Sequence, residues 1–345
     1  MASDSDSGSS VSVPCEKSDF TLTYGADGRY INVTKVAIQN CLKGNLLIIS
    51  DDDCYRSLIF GDPIYGVVKS LFVAHNGKKT LYKSGKILRY EFSPEEADFL
   101  RKTYHEPWQI MTISQALNKL REQQKELFLL GGSWEEEFTE QLMTLMYLQP
   151  TAHVLELGSN IGRVSMIAGL NLESPRTLVT MECDYRTSCI LTCNCRCNYI
   201  DINIINGALS KRRLMQKKST TASINTAAFT IPLKDHDVVP PDHNEISISN
   251  FVSLENTFNL QFDTLIIDCE GALTYILDDF PNMLKNIKCV IIENDFKTPE
   301  DQEKVDSAFR AHGMEVVFSH PCHYAHFPAK DRFHEVWIRK AAYPL

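Results

Sequence analysis

The stretch that decides the fold of this chain runs from His153 to Gly162 and reads His-Val-Leu-Glu-Leu-Gly-Ser-Asn-Ile-Gly. It is an apolar strand that carries an acid, Glu156, and it is followed by two glycines, Gly158 and Gly162, that lead into a helix. In a doubly wound sheet, ligands bind at the carboxyl ends of the strands, where glycine lets a nucleoside approach the backbone. Asn160 occupies the second glycine position of a dinucleotide motif, and the chain has no P-loop sequence. The stretch therefore predicts a nucleotide-like cofactor, and because Glu182 lies 24 residues after Gly158 a dinucleotide stays open as an alternative.

Strands and helices alternate around this stretch, from about residue 131 to the end of the chain. Apolar runs predict strands at His153 to Leu157, Thr177 to Glu182, Ile202 to Asn206, Phe262 to Asp268 and Lys288 to Glu293. Helical patterns separate most of them, at Ile161 to Asn171, Tyr185 to Tyr199, Ala272 to Asn286 and Pro299 to His312. This alternation is typical of a parallel sheet with helices on both faces, so we expect an α/β fold. Two last runs, Met314 to Ser319 and His334 to Arg339, are expected to pair as an antiparallel hairpin at one sheet edge.

The first 130 residues follow a different pattern. Residues 1–18 are a Ser/Asp-rich tail, which we expect to be disordered. Residues 19–92 predict a small β-rich module, with strands at Thr21 to Tyr24, Tyr30 to Val36, Leu46 to Ser50, Val67 to Ala74 and Ile87 to Phe92. Residues 93–130 predict a helical linker, with Ser93 as the N-cap of its first helix and a second helix from Ser114 to Leu129. The cofactor-binding domain then spans 131–345, beginning with a capping box at Ser133 to Glu136 for a helix that starts at Trp134.

Composition excludes several classes of protein. The chain has 345 residues, of which 43% are hydrophobic and 23% are charged, as in ordinary globular proteins. No apolar run is long enough to span a bilayer, and the N-terminus does not resemble a signal peptide. With a net charge of −9 the chain is not expected to attract nucleic acid or anionic lipid, and its 11 cysteines are expected to be reduced. We therefore expect a cytoplasmic protein with no membrane partner.

Two acidic sites follow strands of the predicted sheet. Glu182 ends the second strand, where a carboxylate can accept hydrogen bonds from both hydroxyls of a ribose, although a strand-end salt bridge is the alternative. Asp268 and Glu270 close the strand from Thr264 and open the next helix. Two carboxylates so close together are costly to bury unless a cation, a proton or donors compensate them. We expect the reaction at this edge, the alternative being two solvated acids at a helix start.

Six motifs together resemble the FkbM family of S-adenosylmethionine-dependent O-methyltransferases, over about residues 133 to 345. They are E-L-G-S-N-I-G-R-V-S (156 to 165), M-E-C-D (181 to 184) with Asn194 and Asn198 in the next helix, G-A-L-S (207 to 210), I-I-D-C-E-G-A (266 to 272), I-I-E-N (291 to 294) and E-V-W-I-R (335 to 339). The chain departs from the family pattern at Cys183, where proline is common, and at Ile266 and Leu273 around the Asp268 motif. The N-terminal module lies outside the resemblance.

The resemblance implies a Rossmann-like methyltransferase sheet, S-adenosylmethionine as the cofactor and a hydroxyl of a sugar or glycosylated small molecule as the acceptor. The residues expected to hold the cofactor are Glu156, Gly158, Ser159, Asn160, Gly162, Glu182, Cys183, Gly207, Ala208 and Asp268. Asp268 is the candidate general base, with Glu270 able to share that role. Asp268, Glu293 and Asn294 also offer oxygen ligands for Mg²⁺ or Mn²⁺, but we expect no metal.

Other patterns suggest metal sites or rival functions. Cys193, Cys195 and Cys197 are too closely spaced for a zinc knuckle, and the loop that carries Cys322 and three histidines (His320, His323 and His326) is not expected to bind zinc. The basic stretch from 211 to 218 favours a ribose or cap methyltransferase acting on RNA as an alternative. A catalytically silent scaffold that binds proteins is a second alternative. The insertion at 207–259 is expected to be a lid or a disordered loop.

Overall fold

The computed structural model describes residues 18–64, 66–218, 229–234, 236–322 and 328–343. The chain divides into two units, the first ending at His105 and the second beginning at Glu106. The tail predicted at 1–18 lies outside the described residues except for Ser18. The linker predicted at 93–130 is divided between the units, because its first helix belongs to the first unit and its second helix to the second unit.

The first unit combines two antiparallel sheets with three helices. Its strands are β1 (Thr21–Ala26), β2 (Arg29–Asn32), β3 (Leu42–Lys43), β4 (Leu46–Ile49), β5 (Ser70–His75), β6 (Lys78–Tyr82) and β7 (Leu88–Glu91). Its helices are α1 (Thr34–Cys41), α2 (Asp53–Phe60) and α3 (Pro94–Tyr104). The strand orders are β2-β1-β5-β6 and β3-β4-β7. Alternate residues of β5 are buried, as expected for a sheet with one face on a core.

All five strands predicted for this unit are present, which confirms its β-rich character. The strand predicted from Tyr30 to Val36 is wrong in its second half, because β2 stops at Asn32 and α1 begins at Thr34. The Asn32 side-chain oxygen accepts hydrogen bonds from the backbone N–H and the hydroxyl of Thr34, at 3.0 and 2.7 Å. This local turn ends the strand and starts the helix.

The second unit carries the remaining elements. Its helices are α4 (Ile113–Glu126), α5 (Phe138–Tyr147), α6 (Arg163–Asn171), α7 (Tyr185–Cys197), α8 (Phe251–Phe258), α9 (Leu273–Asp279) and α10 (Pro299–Ala311). Its strands are β8 (Val154–Leu157), β9 (Leu178–Glu182), β10 (Asn203–Asn206), β11 (Ala208–Leu209), β12 (Leu214–Lys217), β13 (Thr230–Pro232), β14 (His243–Ile246), β15 (Ile248–Ser249), β16 (Thr264–Ile267), β17 (Cys289–Glu293), β18 (Glu315–His320) and β19 (His334–Ile338). Short 3₁₀ segments lie at Pro175–Thr177, Met283–Lys285, Lys330–Arg332 and Lys340–Ala342.

A seven-stranded sheet forms the centre of this unit, in the order β10-β9-β8-β16-β17-β19-β18. The first five strands are parallel, and β19 runs antiparallel to both of its neighbours. The structure therefore confirms an α/β fold with a mostly parallel, Rossmann-like sheet and an antiparallel C-terminal hairpin. The order reverses between β8 and β16, which is where a doubly wound sheet opens a crevice for a ligand.

The register of the central strands places the predicted site residues at one edge. Leu157 of β8 pairs with Met181 of β9 and with Ile267 of β16, so the three strands end at the same level. The residues that follow in the chain therefore meet at the carboxyl edge of the sheet. All four residues of β8 and of β16 are buried, as expected for parallel strands covered on both faces.

The start of α5 differs from the prediction. No helix begins at Trp134, because Ser133 to Glu136 form a turn and Glu137 adopts a left-handed backbone with φ of 56°. The Ser133 hydroxyl accepts the N–H of Glu135 at 3.1 Å, which is a turn bond rather than a capping box. The helix begins at Phe138.

The insertion at 207–259, which was expected to be a lid or a disordered loop, contains strands and a helix in its described part. Strand β12 pairs antiparallel with β13 and β14, and β11 pairs in parallel with β15. Helix α8 then returns the chain to the central sheet. Residues 219–228 and Asp235 lie outside the described part of this insertion.

No helix in the described part of the chain has the length and apolar character that crossing a bilayer requires. Every cysteine among the described residues is a free thiol, as expected. Cys195 is buried on α7, whereas Cys193 and Cys197 are exposed, so these thiols do not share one face of the helix. His323 and His326 lie outside the described residues.

Candidate active site

A cleft of about 670 Å³ opens at the carboxyl ends of β8, β9 and β16. This figure counts all the space between the lining atoms, including the part that is open to solvent. The residues that line it are Leu157, Gly158, Asn160, Met181, Glu182, Cys183, Gly207, Ala208, Leu209, Thr230, Asp268, Cys269, Glu270, Ala272, Tyr275 and Ile276. Apolar side chains from the strand ends and α9 form one part of the wall, and carboxylates and backbone form another.

The cleft brings together most of the residues predicted to hold a cofactor. Those that line it are Gly158, Asn160, Glu182, Cys183, Gly207, Ala208 and Asp268, together with the predicted catalytic partner Glu270. Three others, Glu156, Ser159 and Gly162, are not among the lining residues. Each of these three lies in the structure that supports the cleft.

Gly158 lies where two loops meet. It has φ of 86°, and a side chain there would overlap the backbone carbonyl of Asp268. The N–H of Asp268 also donates to the carbonyl of Leu157 at 3.0 Å, and the N–H of Gly158 donates to Met181 at 3.0 Å. Gly158 is therefore required for the close approach of the loops that follow β8 and β16, as well as lining the cleft.

Glu182 is held by backbone donors on both sides. One carboxylate oxygen accepts the N–H of Asn160 at 3.0 Å, and the other accepts the N–H of Asp184 at 2.7 Å. Burial raises the pKa of Glu182 to about 7, although these backbone hydrogen bonds oppose the shift. The bonds fix the carboxylate at the tip of β9, where its remaining lone pairs are available to a ligand in the cleft.

Glu156 points to a buried polar group away from the cleft. It is 2% exposed and accepts the hydroxyl of Ser165 at 2.6 Å, and that hydroxyl lies 3.3 Å from the hydroxyl of Thr180. Burial raises the pKa of Glu156 to about 7. The acid of the first motif and the hydroxyl residue of α6 therefore join β8, β9 and α6 to one another.

Gly162 and Asn194 also have packing roles. Gly162 has φ of 92°, and a side chain there would overlap Leu191 of α7. Asn194 of α7 donates to the carbonyl of Ile161 at 2.9 Å and accepts the N–H of Leu130 at 2.6 Å. The glycine and the asparagine thus allow α7 to pack against the loop that enters α6.

Asp268 is half-buried in a strongly acidic environment. Burial raises its pKa well above the ordinary value, and the charges of Glu137, Asp295, Glu140 and Glu270 add to the shift. Glu270 has a left-handed backbone with φ of 54°, and burial raises its pKa while Lys297 lowers it. An acid in this environment favours its neutral form and accepts a proton readily at neutral pH once ionised.

A second group of side chains lies at the ends of β17 and β19. His334 Nε2 lies 3.2 Å from a carboxylate oxygen of Glu140 and 3.8 Å from one of Glu293. Burial raises the pKa of Glu293 well above its ordinary value, and the nearby acids Asp268 and Glu140 add to that shift. Burial also acts to raise the pKa of Glu140, but His334 outweighs it and helps to lower that pKa to about 2. We call Glu140, Glu293 and His334 the Glu-Glu-His cluster.

Asn294 is not available as the metal ligand that the sequence suggested. It is 1% exposed, and its amide donates to the carbonyl of Arg332 at 2.8 Å and to Glu335 at 2.9 Å. Its oxygen accepts from Gln302 at 3.2 Å. Because these bonds use both ends of the amide, Asn294 connects β17 to α10 and β19 instead.

The segment before α5 is attached to the sheet by one buried cation. Arg163, which is fully buried at the start of α6, donates to the carbonyl of Ser133 at 2.8 Å and to Glu137 at 2.8 Å, and it also pairs with Glu136. Burial nevertheless raises the pKa of Glu137 to about 8. The arginine therefore holds Glu137 among the carboxylates that surround Asp268.

The insertion contributes one wall of the cleft. The hydroxyl of Thr230 in β13 lies 2.6 Å from the hydroxyl of Tyr275 in α9, and both residues line the cleft. Lys297 lies 3.7 Å from the centre of the Phe229 ring, next to Thr230 in the chain. The described part of the insertion therefore places a strand in the wall of the cleft, where Thr230 is within hydrogen-bond distance of α9.

Sequence reasoning missed Glu137, Glu140, Thr230, Tyr275 and His334. The only signal for Glu140 is its position on the buried face of an apolar helix, where a carboxylate needs compensation. For His334, the signal is an ionisable residue at the first position of a fully buried strand. Neither signal identifies its partner, because the members of the Glu-Glu-His cluster come from three distant parts of the chain.

Comparison with known proteins gives structural matches only. No family model matches the chain, and no curated protein matches it. Similar solved structures include a protein of the NADB-Rossmann superfamily from Streptococcus agalactiae, at 12% identity and a TM-score of 0.36, covering 61% of this chain and 70% of that one. Precorrin-6y C5,15-methyltransferase from Geobacter metallireducens matches at 13% identity and a TM-score of 0.35, covering 61% of this chain and 93% of that one. An O-methyltransferase from Bacillus cereus in complex with SAH matches at 12% identity and a TM-score of 0.32, covering 70% of this chain and 94% of that one.

Proposed function

We propose that this protein is an S-adenosylmethionine-dependent methyltransferase of the FkbM type, acting on a hydroxyl group of a sugar or glycosylated small molecule. The observation that carries the proposal is the cleft at the point where the strand order reverses. There Glu182 lies at one strand end and Asp268 at another, and both line the same cleft.

The residues that line the cleft fit a nucleoside with a charged tail. Glu182 offers free lone pairs to two ribose hydroxyls while its backbone bonds hold it in place. Ala208 and Leu209 offer apolar contact for a base, and Gly158 leaves the backbone open to the ligand. When bound, the cofactor supplies an activated methyl group on a sulfonium. The protein therefore needs only to orient the acceptor and remove its proton.

Asp268 is the residue proposed to take that proton. A general base works best when its pKa lies near the operating pH, and the buried acids around Asp268 raise its pKa in that direction. Glu270, which lines the same cleft, orients the acceptor hydroxyl from the other side of the loop. Cys269, between them, is kept neutral because burial raises its pKa well above the ordinary value.

An uncharged acceptor is favoured over RNA. The arginines of the basic stretch are engaged with carboxylates, Arg212 with Asp279 at 2.8 Å and Arg213 with Glu245 at 2.8 Å. Together with the net charge of −9, these pairs leave little positive potential for a phosphate backbone. The free thiols of the described residues support a reducing compartment, so we place the enzyme in the cytosol.

The test of this function has two parts. Calorimetry of the full chain with S-adenosylmethionine should show one site with a micromolar Kd or tighter, whereas no binding would favour a silent scaffold. Transfer of a labelled methyl group should then be detected on a panel of sugars and glycosides but not on RNA. Asp268→Asn should reduce turnover by at least about 100-fold while changing cofactor affinity by less than about threefold. Full turnover in that variant would remove Asp268 from the role of base.

A further inference from the structure

The Glu-Glu-His cluster is a group of three potential metal ligands that the proposed reaction does not use. Glu140 comes from α5, Glu293 ends β17 and His334 begins β19. One ligand atom from each residue lies within 4.8 Å of the other two. Glu140 and His334 are buried, and Glu293 is half-buried. The group is thus held by three elements of one unit and is shielded from bulk water.

The spacing of these atoms suits a single small cation. Ligand atoms about 2.0 to 2.2 Å from one ion lie about 3.0 to 3.6 Å from one another when they occupy neighbouring coordination positions. The distances from His334 Nε2 are 3.2 Å to Glu140 and 3.8 Å to Glu293. The ligand atoms of Glu140 and Glu293 lie within 4.8 Å of each other, so an ion can contact all three atoms after the side chains move toward it.

The charge balance around the cluster also points to a cation. Within the described parts of the chain, no lysine or arginine is paired with Glu140 or Glu293, and His334 is their one recorded ion-pair partner. One buried and one half-buried carboxylate, with His334 as their ion-pair partner, are costly to hold together unless a proton or a metal ion lies between them. Glu-Glu pairs of this kind bind divalent ions when an imidazole completes the set.

A separate observation comes from Asp295, two residues after Glu293. Asp295 is 2% exposed, and its Oδ2 atom has no hydrogen-bond partner in the described structure. A buried carboxylate oxygen without a donor is costly, and a nearby cation would compensate it.

We propose that Glu140, Glu293 and His334 bind one divalent transition-metal ion of the Zn²⁺ or Mn²⁺ class, beside Asp268. This differs from the expectation of no metal drawn from the sequence, and it does not depend on methyl transfer. The mixed imidazole and carboxylate ligands favour these ions over Ca²⁺ and Mg²⁺, which prefer oxygen ligands alone.

Binding is tested on the full chain after treatment with a chelator. Calorimetric titration with Mn²⁺ should give one site per chain with a Kd below about 10 µM, and proton release should appear as a dependence of the heat on the buffer. Mn²⁺ is the first probe because it binds thiols weakly, so the exposed cysteines of α7 do not compete. Absence of a site with a Kd below 100 µM would overturn the proposal in favour of a proton-sharing pair.

Three variants locate the ion. Glu140→Gln, Glu293→Gln and His334→Gln should each weaken Mn²⁺ binding by at least about 30-fold, whereas His153→Gln should change it less than twofold. His153 is a matched control because it lies next to β8, at the opposite end of the sheet. Unchanged binding in all three variants would place the ion elsewhere and overturn the proposal.

A measurement on the wild-type chain covers the case in which a variant fails to fold. Electron spin echo spectroscopy of the bound Mn²⁺ should show nitrogen modulation from one directly coordinated imidazole, as His334 requires. A spectrum without imidazole nitrogen would overturn the proposal, whatever the variants do. Neither result depends on methyl transfer, so failure of this site and failure of the proposed function remain distinguishable.

Discussion

Gly158 shows how one residue serves both the cleft and the fold. The sequence suggested that glycine is needed there to admit a ligand, whereas the structure places it against the carbonyl of Asp268. Gly158→Ala should lower the free energy of unfolding by more than about 3 kcal/mol, because a backbone overlap is added to an unfavourable positive φ. Gly313→Ala is the matched control. Gly313 also has positive φ, of 72°, but nothing lies within 4 Å of the added Cβ, so the cost should be about 1 kcal/mol. Equal costs, measured by denaturant unfolding, would contradict this account.

Glu182 and Glu156 are two buried acids with the same pKa of about 7 and different positions. Only Glu182 lines the cleft. If its ionised form holds the ribose, affinity for S-adenosylmethionine should rise about tenfold per pH unit below pH 7 and level off above it. Glu182→Gln should weaken binding by at least about tenfold and remove this pH dependence, because one backbone N–H then faces an amide NH₂. Glu156→Gln should change neither the affinity for S-adenosylmethionine nor its pH dependence, as measured by calorimetry between pH 5.5 and 7.5. A pH-independent wild-type affinity would count against the role of Glu182.

Those residues of the cleft that lie at the end of a strand could be predicted, because one short segment of sequence contains both the strand and the acid at its end. Glu182 and Asp268 each follow an apolar strand directly, and the carboxyl ends of parallel strands meet at one edge, so their shared cleft follows from pattern alone. The Glu-Glu-His cluster was not predictable, because its members meet only through tertiary packing. The suggestion that Asn294 offers an oxygen ligand to a metal failed for a related reason. Its position in the chain does not show that its amide is hydrogen-bonded to Gln302, Arg332 and Glu335.

At the scale of elements, Arg163 connects α6 to the segment that precedes α5. Arg163→Met should lower the free energy of unfolding by about 3 kcal/mol or more, since the carbonyl of Ser133 and the side chain of Glu137 both lose a fully buried donor. Arg176→Met is the control, because Arg176 pairs with Asp201 on the surface, where both side chains are largely exposed. That change should cost less than about 1 kcal/mol. Similar losses for the two variants, measured by urea denaturation, would show that the buried pair has no special role.

The same elements show what periodicity predicts well and what it does not. Each predicted strand of the central sheet is present, because a run of apolar residues indicates a buried strand from the local sequence alone. The start of α5 was wrong because Arg163, distant in the chain, holds Ser133 to Glu137 in a turn that local capping rules cannot foresee. The small strands of the insertion were missed for a related reason. These strands are stabilised by pairing with one another, as β12 pairs with β14, whereas their own polar sequences do not predict strands.

At the scale of the whole molecule, the buried acids of the second unit set how stability depends on pH. Burial raises the pKa values of Glu156, Glu182 and Asp295 to about 7 and that of Glu137 to about 8, whereas in an unfolded chain these groups titrate near pH 4. Between about pH 4.5 and 8 the folded state therefore binds more protons than the unfolded state. The free energy of unfolding should fall as the pH rises through this window. The lowered pKa of Glu140, about 2, has no effect there, because that acid is ionised in both states.

Denaturant unfolding in the presence of a chelator should accordingly show a higher midpoint for the second unit at pH 5.5 than at pH 8. Glu156→Gln should flatten this dependence by about 2 kcal/mol, because a neutral amide removes the difference in proton binding at one fully buried site. Glu135→Gln, a change at an exposed acid, should leave the slope unaltered. Stability that increases from pH 5.5 to 8 would mean that the acids around the cleft are ionised at little cost, which would also weaken the case for Asp268 as a base near neutral pH.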